Sequence, residues 1–342
     1  MAATLRQVAG RAGVDASTVS RVLRADPALA VRPETRERIL TAARELNYRP
    51  NAAALSLKLR QTHTLGMLVP DITNPIFPGI FRGVEATAAA AGYRVILVNT
   101  DEARDRESLF VDLLTEKRVD GLILATALTD DKTVAALREG GYPFVLVNRR
   151  MPGLNERYVS ADDEAGARLA TEHLIRLGHR RIAHISGPLF TDTGLRRLKA
   201  YRECLHNHGI PFESAYVVEG DFREPTGQAA MQHLLELPQP PTAVFCANDL
   251  TAIGAMSALR QRGLRLPEDL SLVGFNDLPW TEHLQPPLTT VHVPLPEMGA
   301  LACTMLLQLL AGVPLQPVAI VVPVRLMERG STAPPRREGD GR

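Results

Sequence analysis

Apolar residues recur at helical spacing early in the chain, at Leu5, Val8, Ala9 and Ala12, until Gly13 interrupts them. They resume as a narrow stripe at Val19, Val22 and Leu23, behind Asp15 and Ser17, either of which can cap a second helix. Pro33 opens a third helix that runs through Leu46, with Ile39, Leu40, Ala43 and Leu46 as its apolar stripe. So few apolar side chains predict a small three-helix domain with a marginal core. The second helix leaves Ala16, Ser17, Thr18, Ser20 and Arg21 on its outer side. A short turn between two such helices suits a helix-turn-helix whose second helix enters the DNA major groove. The alternative, less favoured by the spacing, is an αα-hairpin that only packs.

After Tyr48-Arg49-Pro50-Asn51 comes AAALSLKL, Ala52 to Leu59, a run of good helix formers. Isolated helices shorter than about 12–15 residues are marginal in water, so this segment folds only with a partner, or serves as a flexible linker. Asn51 can start such a helix, and Ala53 and Ala54 are small enough for close approach to a groove or a partner helix.

From Leu65 the pattern changes to short apolar strands alternating with amphipathic helices. LGMLV precedes a helix from Pro75 to Ala91; YRVILV precedes one from Arg106 to Arg118; GLILA precedes one from Lys132 to Glu139; FVLV follows at Phe144 to Val147. A second run has helices over Ala165–Leu177, Gly194–His206, Thr226–Leu237 and Leu250–Arg262, interleaved with the strands RIAHI, AYVVE, TAVFC and LSLVGF. Such alternation predicts doubly wound α/β units with mostly parallel sheets. The tail STAPPRREGDGR, residues 331–342, is polar and rich in Pro and Gly, and is expected to be disordered. It carries no leucine heptads that would make a coiled coil.

The 342 residues, 45% of them hydrophobic, suffice for two or three domains with ordinary cores. No apolar run of about 18 residues and no charged-then-apolar leader is present, which argues for the cytoplasm and against a membrane partner. Cys204, Cys246 and Cys303 are odd in number, widely spaced and form no C-x-x-C pair, so they read as reduced core residues. The formal net charge is +1, yet residues 1–60 hold 11 Lys+Arg against 5 Asp+Glu. The small N-terminal unit alone therefore suits a polyanion.

In open α/β sheets, ligands sit beyond the carboxyl ends of the strands. There the chain places Asp71, Asn74 and Phe77; Asn99, Thr100 and Asp101; Asn148 and Arg149; Ser186, Asp192 and Thr193; Asp221 and Phe222; Asn248 and Asp249; and Asn276, Asp277 and Trp280. Amides, carboxylates, guanidinium groups and a few aromatic faces suit a hydroxyl-rich small molecule. Any one of them can instead be a helix cap. No phosphate loop, GxGxxG turn, GxSxG elbow or HExxH motif occurs, so neither an enzyme nor a cofactor or metal site is indicated. His206 and His208 stand two apart, which on a helix points them away from each other.

The run from Thr4 to Leu23, VRPETRERILTAARELNYRPNAAALSLK, TLGMLVPDITNPIF, GARLATEHLIRLGHRRIAHISGP, VFCANDLTAIGAMSALRQRGLRLPEDLSLVGFNDLPW and PPLTTVHVPLPEMG resemble, in order, the LacI family of bacterial transcription regulators. The resemblance spans residue 4 to about residue 329. It implies a three-helix helix-turn-helix domain over 1–60, with a hinge helix at about 51–59. A two-lobed α/β effector-binding domain of the periplasmic-binding-protein type, with parallel sheets, would follow over 61–330. Lobe one would comprise about 61–161 and 292–322, with Pro294 to Ala311 and a strand near Val318 to Val322 returning to it. Lobe two would comprise about 162–291 and 323–330.

The implied function is a homodimeric, effector-controlled regulator, a repressor, with double-stranded operator DNA as partner. The rival reading is a transport-type binding protein, which shares the two-lobed fold but has no use for residues 1–60. Ala16, Ser17 and Arg21 would read base edges, and Thr18, Ser20 and the backbone near Thr4 would meet phosphates. Asn51 and Ala54 would lie in the hinge, with Leu57 as the wedge in the minor groove. The effector residues carried over are Asn74, Phe77, Arg149, Thr193, Arg197, Phe222, Asn248, Asp249 and Asn276. Asn276 stands where the family commonly has an aspartate. With Arg149 and Arg197 kept, that departure implies a more positive pocket, suited to a sugar acid over a neutral sugar.

Overall fold

The computed structural model describes residues 3–23, 26, 28–48, 61–101, 112–153 and 157–336. The segment carrying Asn51, Ala54 and Leu57 lies outside the described residues, as do residues 106–111 of the helix expected over Arg106–Arg118. The chain divides into two units, residues 1–62 and 63–342.

In the first unit, α1 (Leu5–Ala12) begins with a capping box, Thr4 Oγ1 accepting from the Gln7 N–H while Gln7 Oε1 accepts from the Thr4 N–H. Gly13, at φ 65°, ends it in the left-handed region that glycine enters without strain. Asp15 caps α2 (Ala16–Leu23), its Oδ1 accepting from the backbones of Ser17 and Thr18 at 2.8 and 2.9 Å. α3 (Pro33–Glu45) starts on proline and closes a core of Val8, Ala9, Ala12, Val19, Val22, Ile39, Ala42 and Ala43. Leu40, expected in that core, is instead 41% exposed. The stripe runs through 39, 42, 43 and 46, and residue 40 falls about 100° off Ile39.

The second unit holds two sheets. The first contains β1 (Thr64–Val69), β2 (Arg94–Asn99), β3 (Gly121–Leu124), β4 (Phe144–Val147), β5 (Tyr158–Ala161) and β11 (Ala319–Val322). Their order is β11-β5-β4-β3-β1-β2, every pair parallel. The second contains β6 (Ile182–Ser186), β7 (Val217–Glu219), β8 (Ala243–Cys246), β9 (Ser271–Asn276), β10 (Thr289–His292) and β12 (Arg325–Met327). Its order is β12-β10-β9-β8-β6-β7, parallel except for β12 against β10. The inner strands are buried along their length, as strands covered by helices on both faces must be.

The helices are α4 (Ile76–Ala90), α5 (Lys132–Glu139), α6 (Asp163–Arg176), α7 (Asp192–Asn207), α8 (Glu224–Leu235), α9 (Asp249–Gln261) and α10 (Leu295–Leu310). Each sheet with its helices forms a lobe, and the chain passes between lobes three times. After β5 it enters α6, which packs on the second sheet; after β10 it returns through α10, which packs on the first. β11 then joins the first sheet and β12 the second. α4 and α10 cross at their glycines: a Cβ on Gly83 would stand 1.8 Å from the Pro296 carbonyl oxygen, and one on Gly299 1.9 Å from that of Ile80. No other residue permits that approach.

The expectation of a disordered tail from residue 331 is corrected for residues 331–336. Ser331 is buried, its hydroxyl donating to the Leu272 carbonyl at 2.6 Å and accepting from the Thr289 N–H at 2.8 Å. The Ala333 carbonyl lies 2.9 Å from His179 Nε2, and Arg336 pairs with Asp269 at 2.5 Å. A polar, proline-rich composition marked the segment as unable to form a core. It is held instead by hydrogen bonds to a sheet already formed.

Candidate functional site

The outer face of α2 is organised from its cap. Ser17 Oγ donates to Asp15 Oδ1 at 2.5 Å and Thr18 Oγ1 to Asp15 Oδ2 at 2.8 Å. These hydroxyls, with the Thr18 N–H, hold the Asp15 carboxyl far below the usual range. Arg21 Nε meets Asp26 Oδ2 at 2.8 Å. Thr4 is occupied as the cap of α1, while Ala16 and Ser20 are half-buried on the same helix as Ser17.

In the second unit the ends of the strands converge on a cleft. Its inner chamber has about 20 Å³ of free space and is lined by Asn74, Ile76, Phe77, Asn148 and Arg149 from the first lobe and by Thr193, Arg197, Phe222, Asn248 and Asn276 from the second. It shares Asn74, Phe77, Arg149 and Phe222 with an outer chamber of about 480 Å³. Asp71 and Arg223 face each other across the outer one at 3.1 Å. Burial alone would raise the Asp71 carboxyl, but hydrogen bonds from Thr73 and Arg223 outweigh it and hold the group below its ordinary value.

The strand ends supply the backbone bends that aim these side chains. Asn148 and Asn276 take positive φ, 67° and 113°, which asparagine tolerates better than most residues. Phe222 also sits at φ 67°, an outlier for a bulky residue. Two neighbours hold it there. Asn248 donates its side-chain amide to the Phe222 carbonyl at 2.9 Å, and a Cβ on Gly187 would stand 2.2 Å from the Phe222 ring.

Arg197 is held on every side: Nε donates to Asp163 Oδ1 at 2.8 Å, Nη1 to the Ala247 carbonyl at 2.5 Å, and its plane covers the Phe275 ring at 3.6 Å. Asp163 therefore offsets the charge of Arg197 from behind. Asp163 is itself shared with Arg196, so its charge is divided between two arginines.

Asp249 does not line the chamber. It is fully buried as the first residue of α9, Oδ1 accepting from the Thr290 hydroxyl at 2.6 Å and Oδ2 from the Leu278 N–H at 2.9 Å. Burial pushes its carboxyl up to about 7 against those hydrogen bonds. Conversely, Ile76 and Asn148 line the chamber without having been carried over from the resemblance. The strand-end rule pointed to Asn148, whereas an apolar residue such as Ile76 gave no signal. Asp163, which opens α6 just after a crossing, was missed because it follows a four-residue strand that had no apolar run to announce it.

A helix-turn-helix unit together with a two-lobed α/β cleft defines a DNA-binding regulator of the ligand-responsive class. The comparisons agree. Residues 4–51 match the model of the bacterial regulatory proteins of the lacI family, and residues 171–332 match that of the periplasmic binding protein-like domain. The chain is 38% identical over 332 residues to the HTH-type transcriptional repressor CytR of Escherichia coli (strain K12), covering 97% of this chain and 96% of that protein. It is equally 38% identical over 330 residues to the ribose operon repressor of the same strain, covering 96% and 99%. The solved lac repressor dimer bound to operator and the anti-inducer ONPF superposes with a TM-score of 0.88 at 31% identity, covering 97% of this chain and all of that one. The protein belongs to the lacI family of bacterial regulatory proteins: it is a DNA-binding transcriptional regulator and not an enzyme. Among the described residues, no helix is long and apolar enough to cross a membrane.

Proposed function

We propose that this regulator is a homodimeric repressor of the cytoplasm whose operator affinity is set by a small molecule in the interlobe cleft. Residues 1–60 bind the operator, Ala16, Ser17 and Arg21 reading bases and Thr4, Thr18 and Ser20 steadying the backbone. Asn51, Ala54 and Leu57 belong to a hinge at about 51–59 that couples the two units. The effector domain is divided as 61–161 with 292–322 and 162–291 with 323–330. The observation that carries this reading is the inner chamber, where residues from both lobes meet. A ligand that touches both lobes binds one interlobe angle better than another, which is what control by a ligand requires.

Asn74, Phe77, Arg149, Thr193, Arg197, Phe222, Asn248 and Asn276 are the proposed contacts, with Asp249 acting from behind the wall. Four amides that both donate and accept, facing two aromatic rings, suit a sugar or sugar acid, and Arg149 offers a place for its carboxylate. A relative named for the ribose operon supports the sugar-linked role. The test is selection of bound sequences from random DNA, followed by a thermal-shift panel of sugars and sugar acids. The proposal predicts a two-fold symmetric site and at least one stabilising ligand whose effect Arg149→Met and Phe222→Ala remove. A non-palindromic preference, or a stabilising ligand indifferent to both variants, would overturn it.

A further inference from the structure

Five charged side chains alternate in sign from the rim of the first lobe to the chamber. Arg150 directly follows the chamber residue Arg149. Its N–H donates to Asp192 Oδ1 at 2.7 Å and its Nε to Oδ2 at 3.1 Å. Asp192 opens α7 in the second lobe and also accepts from Arg196 Nε at 2.9 Å. Arg196 in turn donates to Asp163 and, at 3.4 Å, to the carbonyl of Ala161, the last residue of β5. Asp163 opens α6 and accepts from Arg197. Both carboxylates are nearly inaccessible to solvent, and each is shared by two arginines.

We infer that Asp163, Asp192 and Arg196 are positioning residues that hold Arg197 in the chamber and tie its place to the closure of the lobes through Arg150. This rests on the cleft being the effector site. Removing either carboxylate leaves an end arginine, Arg150 or Arg197, without its partner in the chain of pairs, so the chain shifts as a unit. Arg197 cannot turn toward a ligand without drawing on Asp163. Asp163 shares Arg196 with Asp192, and Asp192 is what Arg150 of the other lobe grips. The arrangement passes through the first crossing between lobes, where a small rotation changes the interlobe angle.

Closure has its own gauge: the Thr129 N–H and hydroxyl, from the first lobe, both reach the Phe190 carbonyl of the second at 3.2 Å. Amide exchange in the peptide holding Thr129, followed by mass spectrometry on the full chain without added ligand, reads that contact. Arg150→Met and Asp192→Asn should each speed exchange there by about tenfold or more. Asp192→Glu should restore much of the protection. Arg262→Met, which breaks an exposed pair with Glu236 inside the second lobe, should change nothing.

The amides of β8 report whether a variant still folds. Should those of Asp192→Asn also accelerate, Arg150→Met decides, because its side chain lies at the rim and leaves the pairs within α7 intact. Equal exchange of the Thr129 peptide in the parent and Arg150→Met overturns the inference. Faster exchange in a protein whose cleft no ligand controls would keep the ladder and refute the effector reading. Unchanged exchange with ligand control intact would do the reverse.

Discussion

Asn248 donates its side-chain amide to the main-chain carbonyl of Phe222 at 2.9 Å while its Oδ1 accepts from the Thr251 N–H at 2.9 Å. One side chain thus starts α9 and fixes the aromatic wall of the cleft. Asn248→Ala should lose about 1 kcal/mol of stability with the cap and, with Phe222 released, weaken ligand binding more than operator binding. Asn248→Asp keeps the capping acceptor but sets a second, charged acceptor against the Phe222 carbonyl, so its ligand affinity should fall as well, and its thermal midpoint with it. Equal ligand affinity in parent and Asn248→Asp would separate Phe222 from the site.

Asp249 links the same wall to pH. Its carboxyl is raised to about 7 in the folded chain, from an ordinary value of 3.8, chiefly by burial. A raised acid holds its proton more tightly folded than unfolded. Its contribution is therefore full below the unfolded value and is lost as pH rises through the folded one. Relative to Asp249→Asn, which does not titrate, the parent should lose on the order of 4 kcal/mol between about pH 4 and pH 8. Urea denaturation of both proteins across that range checks it, and parallel profiles would contradict it.

On α2, the Ser17 hydroxyl is committed to Asp15 and Arg21 to Asp26. Ser17 is left to offer its lone pairs, so Ser17→Ala should change the sequence recovered in binding-site selection. Arg21→Ala should cost about 1–3 kcal/mol on the preferred site and relax specificity at one position. Recovery of the parental sequence by both variants would remove them from base reading.

Long periodic runs are legible in the sequence. The apolar spacing around Val8, Val19 and Ile39 marks the small domain, and the strands at 65–69, 144–147 and 270–275 mark the α/β alternation. β5, β10 and β12 gave no such signal, since strands of three or four residues at lobe crossings contain Ser, Thr, His or Arg and carry no apolar run. At the cleft, residue type and position after a strand pointed to Asn74, Arg149, Phe222, Asn248 and Asn276. What could not be read was pairing. That Asp163 pairs with Arg197, and that Asp249 is sealed behind β9 and β10, depends on contacts between residues dozens of positions apart.

The central claim is that occupancy of the cleft sets operator affinity, and Arg197 tests it most directly. Arg197→Ala leaves Asp163 paired with Arg196, so the lobe keeps its fold. The measurement is titration of the selected operator, with and without the ligand that the thermal-shift panel identifies, for parent and variant. The parent's operator affinity should change by about 5–150-fold with ligand, while Arg197→Ala should bind operator within about threefold of the parent and show no ligand effect. A variant that responds to the ligand as the parent does, or a parent whose operator affinity ignores a ligand bound in the cleft, would contradict the account.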